Sequence, residues 1–175
     1  MAGHNKWSKI KRQKEKTDAQ KSKIYGKMVR MISVEARLAG GNISAPGLRA
    51  AIEKAKAANV PSDNIERAIK KASEQGGDLE AITYEAYGPG GTALVIEALT
   101  GNRNKAAQEV KHILSEYGFA LAAIGSATWA FERVGREWNP TTTVELSEED
   151  GEKLSDLVDA LEENDEVQEV FTNAA

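Results

Sequence analysis

The chain has 175 residues, of which 41% are hydrophobic and 29% charged, with no cysteine and a formal net charge of -4. That length suits one domain or two small ones, and the lack of cysteine excludes a disulfide framework and thiolate metal sites. No segment approaches the ~20 apolar residues of a membrane span and the N-terminus lacks the apolar run of a signal peptide, so a cytoplasmic protein with no membrane partner is expected.

The first segment, residues 1–17, is expected to be a flexible basic arm that orders on a partner. Its stretch KWSKIKRQKEK, residues 6–16, holds six lysines or arginines, and Glu15 is its only acid. A basic helical domain is expected over residues 18–77. A helix begins near Asp18 and closes at Gly40-Gly41, with Ile24, Met28, Met31, Ile32 and Ala39 near one face. Lys23, Lys27, Arg30 and Arg37 fall on another face. A second helix is expected over residues 46–58, with Leu48, Ala51, Ile52 and Ala55 inward. A third follows Pro61, which suits a helix start because its missing N–H costs nothing there. It turns Ile65, Ala68, Ile69 and Ala72 inward and stops near Gly76-Gly77. The exposed side would add Arg49, Lys54, Lys56, Arg67, Lys70 and Lys71.

After Gly77 the period changes. Residues 83–87 alternate as a strand, GPGG at 88–91 forms a turn, and residues 92–99 (TALVIEAL) form an internal, largely apolar strand. A helix is expected over 102–117, strands over 127–134 and 141–146, a helix capped by Ser147 through Glu163, and a last strand over 167–172. Apart from the first hairpin strand the order is β-α-β-β-α-β, the ferredoxin-like motif. The predicted fold is therefore α+β: a three-helix domain, then an acidic ferredoxin-like domain over 78–175 with an antiparallel sheet and two helices on one face.

The small net charge conceals a division. Residues 1–77 carry 17 Lys+Arg against 7 Asp+Glu, whereas residues 78–175 carry 6 against 20. The halves thus hold +10 and -14, and the basic one is suited to a polyanion. Lysines on the arm can neutralise phosphates and release counterions, and Trp7 could stack on an exposed base or pack on the protein's own first helix. No helix-turn-helix, zinc-finger or RNA-recognition signature is present. GPGG lacks the ending of a phosphate loop and precedes a strand. Gly101-Asn102, with Arg103 and Lys105, opens a helix and could greet an anion, but an ordinary cap explains it. His4 and His112 are far apart, no metal spacing occurs, and no nucleophile–base grouping is visible. No catalysis, no cofactor and no metal are expected.

The opening MAGHNKWSKIKRQKEKTDAQKSKIYGKMVR resembles that of the YebC/PmpR family, which includes the mitochondrial translational activator of cytochrome c oxidase subunit I. Further likeness lies in Ala36-Arg37, residues 48–52 (LRAAI), 61–69 (PSDNIERAI), Tyr84-Glu85, 87–91 (YGPGG), 100–104 (TGNRN), 157–162 with Asp165, and 167–173. Typical members have three domains, the third inserted within the second. Here Phe131-Glu132-Arg133 is followed almost at once by Asn139-Pro140-Thr141, so this chain resembles a short member without the insertion.

The resemblance implies control of gene expression through nucleic acid. A DNA-binding transcriptional regulator is the expected function. The alternatives are a ribosome-associated translation factor on ribosomal or transfer RNA and, in another class, a protein–protein adaptor. The expected contact set is Lys6, Trp7, Lys9, Lys11, Arg12, Lys14, Lys23, Lys27, Arg30, Arg37 and Arg49. The acidic domain is expected to offer a platform for a protein partner or a homodimer.

Overall fold

The computed structural model of the protein describes residues 18–74 and 79–175. They divide into two compact units: the helical segment through Glu80 together with Leu99–Gly101, and Ala81–Ala98 with Asn102–Ala175.

The helical unit contains α1 (Asp18–Leu38), α2 (Pro46–Ala57) and α3 (Ser62–Glu74). Apolar residues three and four apart give each helix one buried stripe. Ile32 and Ala36 of α1 meet Leu48, Ala51 and Ala55 of α2 and Ile65, Ala68 and Ala72 of α3 in one core. The many alanines keep side-chain volume low, so the helices can approach closely. The first helix ends where Gly40 and Gly41 take left-handed φ values of 59° and 81°, and the Gly41 amide closes on the Ala36 carbonyl at 2.8 Å.

Glu35 is an exception within this core: it is charged yet only 8% exposed. Its carboxylate lies against Gly47, in the first turn of α2, where a Cβ would collide with Oε2. An acid there is favoured by the positive end of the helix dipole. Gly47→Ala should therefore lose stability, by about 1–3 kcal/mol from overpacking, although alanine in an open helical position would gain up to ~1 kcal/mol. Urea unfolding checks the sign. In a Glu35→Ala background the same change should become neutral or stabilising, because the obstructing carboxylate is gone.

The second unit runs β1 (Glu80–Tyr87), β2 (Ala93–Thr100), α4 (Arg103–Glu116), β3 (Phe131–Val134), β4 (Glu137–Pro140), α5 (Glu148–Glu163) and β5 (Val167–Thr172). The class is α+β. Three strands form a sheet in the order β1-β2-β5, and β2 pairs antiparallel with β5 from Leu94↔Thr172 to Ala98↔Val167. Gly90, at φ 67° in the 3-10 turn Pro89–Gly91 before β2, has no room for a side chain because a Cβ would meet Leu146.

The central strand is buried on both faces, as its apolar run implies. Leu94 and Ile96 pack with Val110 and Leu114 of α4, Leu154, Leu157 and Leu161 of α5, and Val167 and Val170 of β5. Ala93 and Val95 face the other way, toward Ala127, Ala130, Phe131, Phe171 and Trp138. Each large aliphatic side chain so buried contributes about 1.5–3 kcal/mol relative to exposure. Asn102 caps α4 by accepting the Lys105 amide, and Ser147 caps α5 by accepting the Asp150 amide.

Two expected strands turn out differently. Residues 127–130 do not join a ladder: Thr128–Ala130 is a 3-10 turn, and pairing begins only at Phe131. The Ala127 and Thr128 amides are taken by the Glu85 carboxylate instead. Residues 141–146 are not a strand either. Thr141 and Thr142 both give their amides to the Ala130 carbonyl, the Thr142 carbonyl accepts from Asn173 Nδ2, and only Val144 reaches a neighbour, in a single parallel bridge to Ala174. The strand that does form, β4, pairs with β3 in a separate two-stranded hairpin, Arg133 opposite Trp138. Of the four strands of the expected ferredoxin-like motif, those near 92–99 and 167–172 share the three-stranded sheet, the one near 127–134 survives only as Phe131–Val134 in the hairpin, and the one near 141–146 is not a strand. Trp138 anchors the hairpin by donating from Nε1 to Glu97 Oε1 at 2.8 Å, an oxygen that also accepts the Thr83 hydroxyl.

Candidate nucleic-acid interface

The expected contact residues have separate fates. Lys6, Trp7, Lys9, Lys11, Arg12 and Lys14 lie outside the described residues. On α1 only Lys23 of the four cations is exposed. Lys27 is buried, at 9% exposure. Arg30 is half-buried and donates from Nη1 to the Leu99 carbonyl at 3.3 Å. Arg37 is half-buried as well, with a long contact of 3.5 Å from Nη1 to the Leu79 carbonyl. A guanidinium carries five donors in a planar fork. The stripe along α1 is thus largely removed from solvent: one of its four cations is buried and two are half-buried.

The exposed cations are on the other two helices. Arg49, Lys54 and Lys56 of α2 and Arg67, Lys70 and Lys71 of α3 all face solvent, as do Lys21 and Lys23 near the start of α1. Arg49 forms an i,i+4 pair with Glu53 at 3.8 Å, with both side chains 72% exposed. Such a pair is worth only about 0.3–0.5 kcal/mol and yields readily to a phosphate. Long, solvated cationic side chains on rigid helices suit contact with a phosphate backbone, which needs charge and reach rather than a shaped pocket.

At the niche opened by Asn102 the cation Lys105 already has carboxylate partners. Lys105 Nζ lies 3.3 Å from the buried Glu166 carboxylate and 3.9 Å from Glu109, so its charge is matched within the unit. His112 Nε2 lies 3.3 Å from Glu116 on the same helix. Among the described residues no group of three or more His, Asp or Glu could hold a metal ion, and no described helix is long and apolar enough to cross a membrane.

Sequence reasoning named Glu85, on β1, only within the family likeness and gave it no role. It is 6% exposed and collects three backbone amides: Gly125 N to Oε2 at 2.7 Å, and Ala127 N and Thr128 N to Oε1 at 3.0 and 2.8 Å. Burial pushes its pKa upward, but the hydrogen bonds from Gly125, Thr128 and Ala127 and from the Thr128 hydroxyl outweigh that and hold it below the ordinary 4.5. The signal was an acid inside a strand, EAITYEAY, that apart from its first residue Glu80 is otherwise Ala, Ile, Thr and Tyr.

A family model described as the TACO1/YebC protein N-terminal domain matches residues 5–75, and one described as the TACO1/YebC second and third domain matches residues 79–137 and 136–174. The chain belongs to the TACO1/YebC family. The second match comes in two pieces that meet at the β3–β4 hairpin. A "probable transcriptional regulatory protein" of Fervidobacterium nodosum is 40% identical over 235 positions, which take in 99% of this chain and 93% of that one. Those 235 positions exceed the 175 residues here, so the relative carries sequence that this chain lacks. Proteins of the same description from Thermotoga petrophila and Thermotoga maritima are 53% and 47% identical over 77% and 90% of this chain, and the matches span 54% and 61% of their own lengths. The crystal structure of a conserved hypothetical protein from Aquifex aeolicus superposes with a TM-score of 0.84 at 33% identity, covering 96% of each chain.

Proposed function

We propose that this protein is a nucleic-acid-binding regulator of gene expression whose helical unit, with the basic N-terminal segment, grips the phosphate backbone. The observation that carries this reading is the charge division: +10 over residues 1–77 against -14 over residues 78–175. The solvent-facing cations of α2 and α3 support it, and so do the regulatory names of relatives that match most of the chain. The acidic unit repels phosphate and orients the protein so that the helices lead. Binding is driven by counterion release, and duplex DNA is the target proposed first, since the relatives' names speak of transcriptional regulation.

A salt titration tests the proposal. If about five to eight cations each neutralise a phosphate of duplex DNA, log affinity should fall with log salt at a slope of roughly -4.5 to -7. Fluorescence anisotropy with a labelled duplex measures it. A flat dependence would remove the phosphate reading altogether. A steep dependence seen only with a structured RNA of equal length would move the target from DNA to RNA.

A further inference from the structure

The acidic unit carries a second exposed feature of opposite character. Residues 118–131, GFALAAIGSATWAF, contain no charged side chain, although the region 78–175 around them bears -14. Ile124 is 99% exposed, Trp129 60% and Tyr87 36%. Single exposed apolar residues are ordinary. Three of them on one tightly fastened loop and its neighbouring strand are not.

The fastening is extensive. Besides the three amides held by Glu85, the Ala122 amide donates to the Glu85 carbonyl at 2.8 Å and Ser126 N to the Ala123 carbonyl at 3.0 Å. Leu121 bridges to Ala86. Phe119 and Leu121 pack on the helix-side core, while Ala127 and Ala130 belong to the core on the opposite face of the sheet. Trp129 Nε1 donates to the Tyr87 hydroxyl at 2.9 Å, and that hydroxyl donates to the Ser126 carbonyl. The polar tips of both aromatic residues are therefore engaged, and what they offer to solvent is ring surface. A rigid apolar anchor beside Trp and Tyr has the composition of an interface hot spot, with little ordering entropy left to lose.

The net charge of residues 78–175, -14, acts over distance and favours a basic partner. Phosphate would approach an acidic unit against repulsion, and the loop has no cation to offset it. A protein surface with an apolar pocket and a basic rim is attracted and matched at once. We propose that the 119–129 loop is a protein-docking site that places Ile124, flanked by Trp129 and Tyr87, in an apolar pocket of a basic partner protein. This surface is independent of the phosphate-binding helices.

The test uses the full chain and a defined probe, a 14-residue amphipathic helical peptide of leucine and lysine, with glutamate-for-lysine and glutamine-for-lysine versions and a uridine oligonucleotide as controls. NMR follows the Ile124 methyl groups and the Trp129 indole N–H. The lysine peptide should shift both signals and the glutamate peptide neither. Ile124→Gln should weaken lysine-peptide binding about tenfold or more without moving the melting temperature, since that side chain is in water. Shifts confined to the acidic helices, equal binding by Ile124→Gln, or a response of these two signals to the oligonucleotide rather than the peptide would each overturn the proposal.

Discussion

Replacing Glu85 with alanine should cost about 3–5 kcal/mol of stability, since hydrogen bonds to a charged group contribute about 1.5–3 kcal/mol each and stranded buried donors add their own desolvation penalty. Three backbone amides, those of Gly125, Ala127 and Thr128, would lose their acceptor. Glu85→Gln should cost less, since an amide oxygen can still serve Ala127 and Thr128. Its NH2 would then face the Gly125 N–H, donor against donor. Urea unfolding of the three proteins should rank them wild type, Gln, Ala. Equal stabilities would mean that the loop is held by its apolar anchors, Phe119, Leu121 and Ala127, and not by the carboxylate.

The pH dependence has a definite sign. The folded pKa of Glu85 lies below 4.5, so the folded state binds its proton less readily than the unfolded chain. The stability this supplies is complete above the unfolded value and is lost as pH falls through the lower, folded one. The gap between wild type and Glu85→Gln should therefore be constant near neutrality and close in acid, below pH 4.5. A gap that widened on acidification would contradict the assigned hydrogen bonds. Because the same carboxylate fixes the loop that bears Ile124, Glu85→Ala should also broaden the Ile124 and Trp129 signals.

The second large effect concerns binding. Changing Lys56, Arg67, Lys70 and Lys71 together to glutamine should lower duplex affinity by about 10²–10³ near physiological salt and flatten the salt slope by roughly 3–4 units, as expected for four lost phosphate contacts. All four side chains are exposed, and glutamine is close to lysine and arginine in helix propensity, so unfolding should change little. Arg30→Ala should behave in the opposite way. It removes a donor from the Leu99 carbonyl, so stability should fall and the salt slope should move by no more than about one unit. If the quadruple variant kept its slope, phosphate contact would have to come from the N-terminal segment and the remaining cations Lys21, Lys23, Arg49 and Lys54, and the role assigned to α3 would be withdrawn.

Much of the fold was legible in the residues, for reasons that are local. The apolar stripe of α5, Leu154, Leu157 and Leu161, repeats at three and four, and Ser147 precedes three acids that favour a helix start. The bounds of β5 were readable from VQEVFT because a short β-branched and aromatic run between polar turns has few alternatives. The β3–β4 region was not. Thr141, Thr142 and Val144 have strand propensity, yet their backbone groups are taken by Ala130, Asn173 and Ala175, residues 11 or more positions away in sequence. The burial along the cationic stripe of α1 was not legible for a related reason. Helical spacing places Lys23, Lys27, Arg30 and Arg37 near one another but does not say what lies opposite.

The sequence by itself determined the helices, the alternation of elements in the second unit, the family and the separation of charge, because each is written in composition, in periods of two and 3.6, or in contiguous motifs. Tertiary structure alone decided that Lys27 goes inside, that Arg30 and Arg37 hold carbonyls, and that Glu85 gathers amides 40 and more positions away. A side chain's partner across the fold depends on which distant backbone groups are left without a ladder. Buried amides must find acceptors wherever the chain brings one, and no local pattern encodes that.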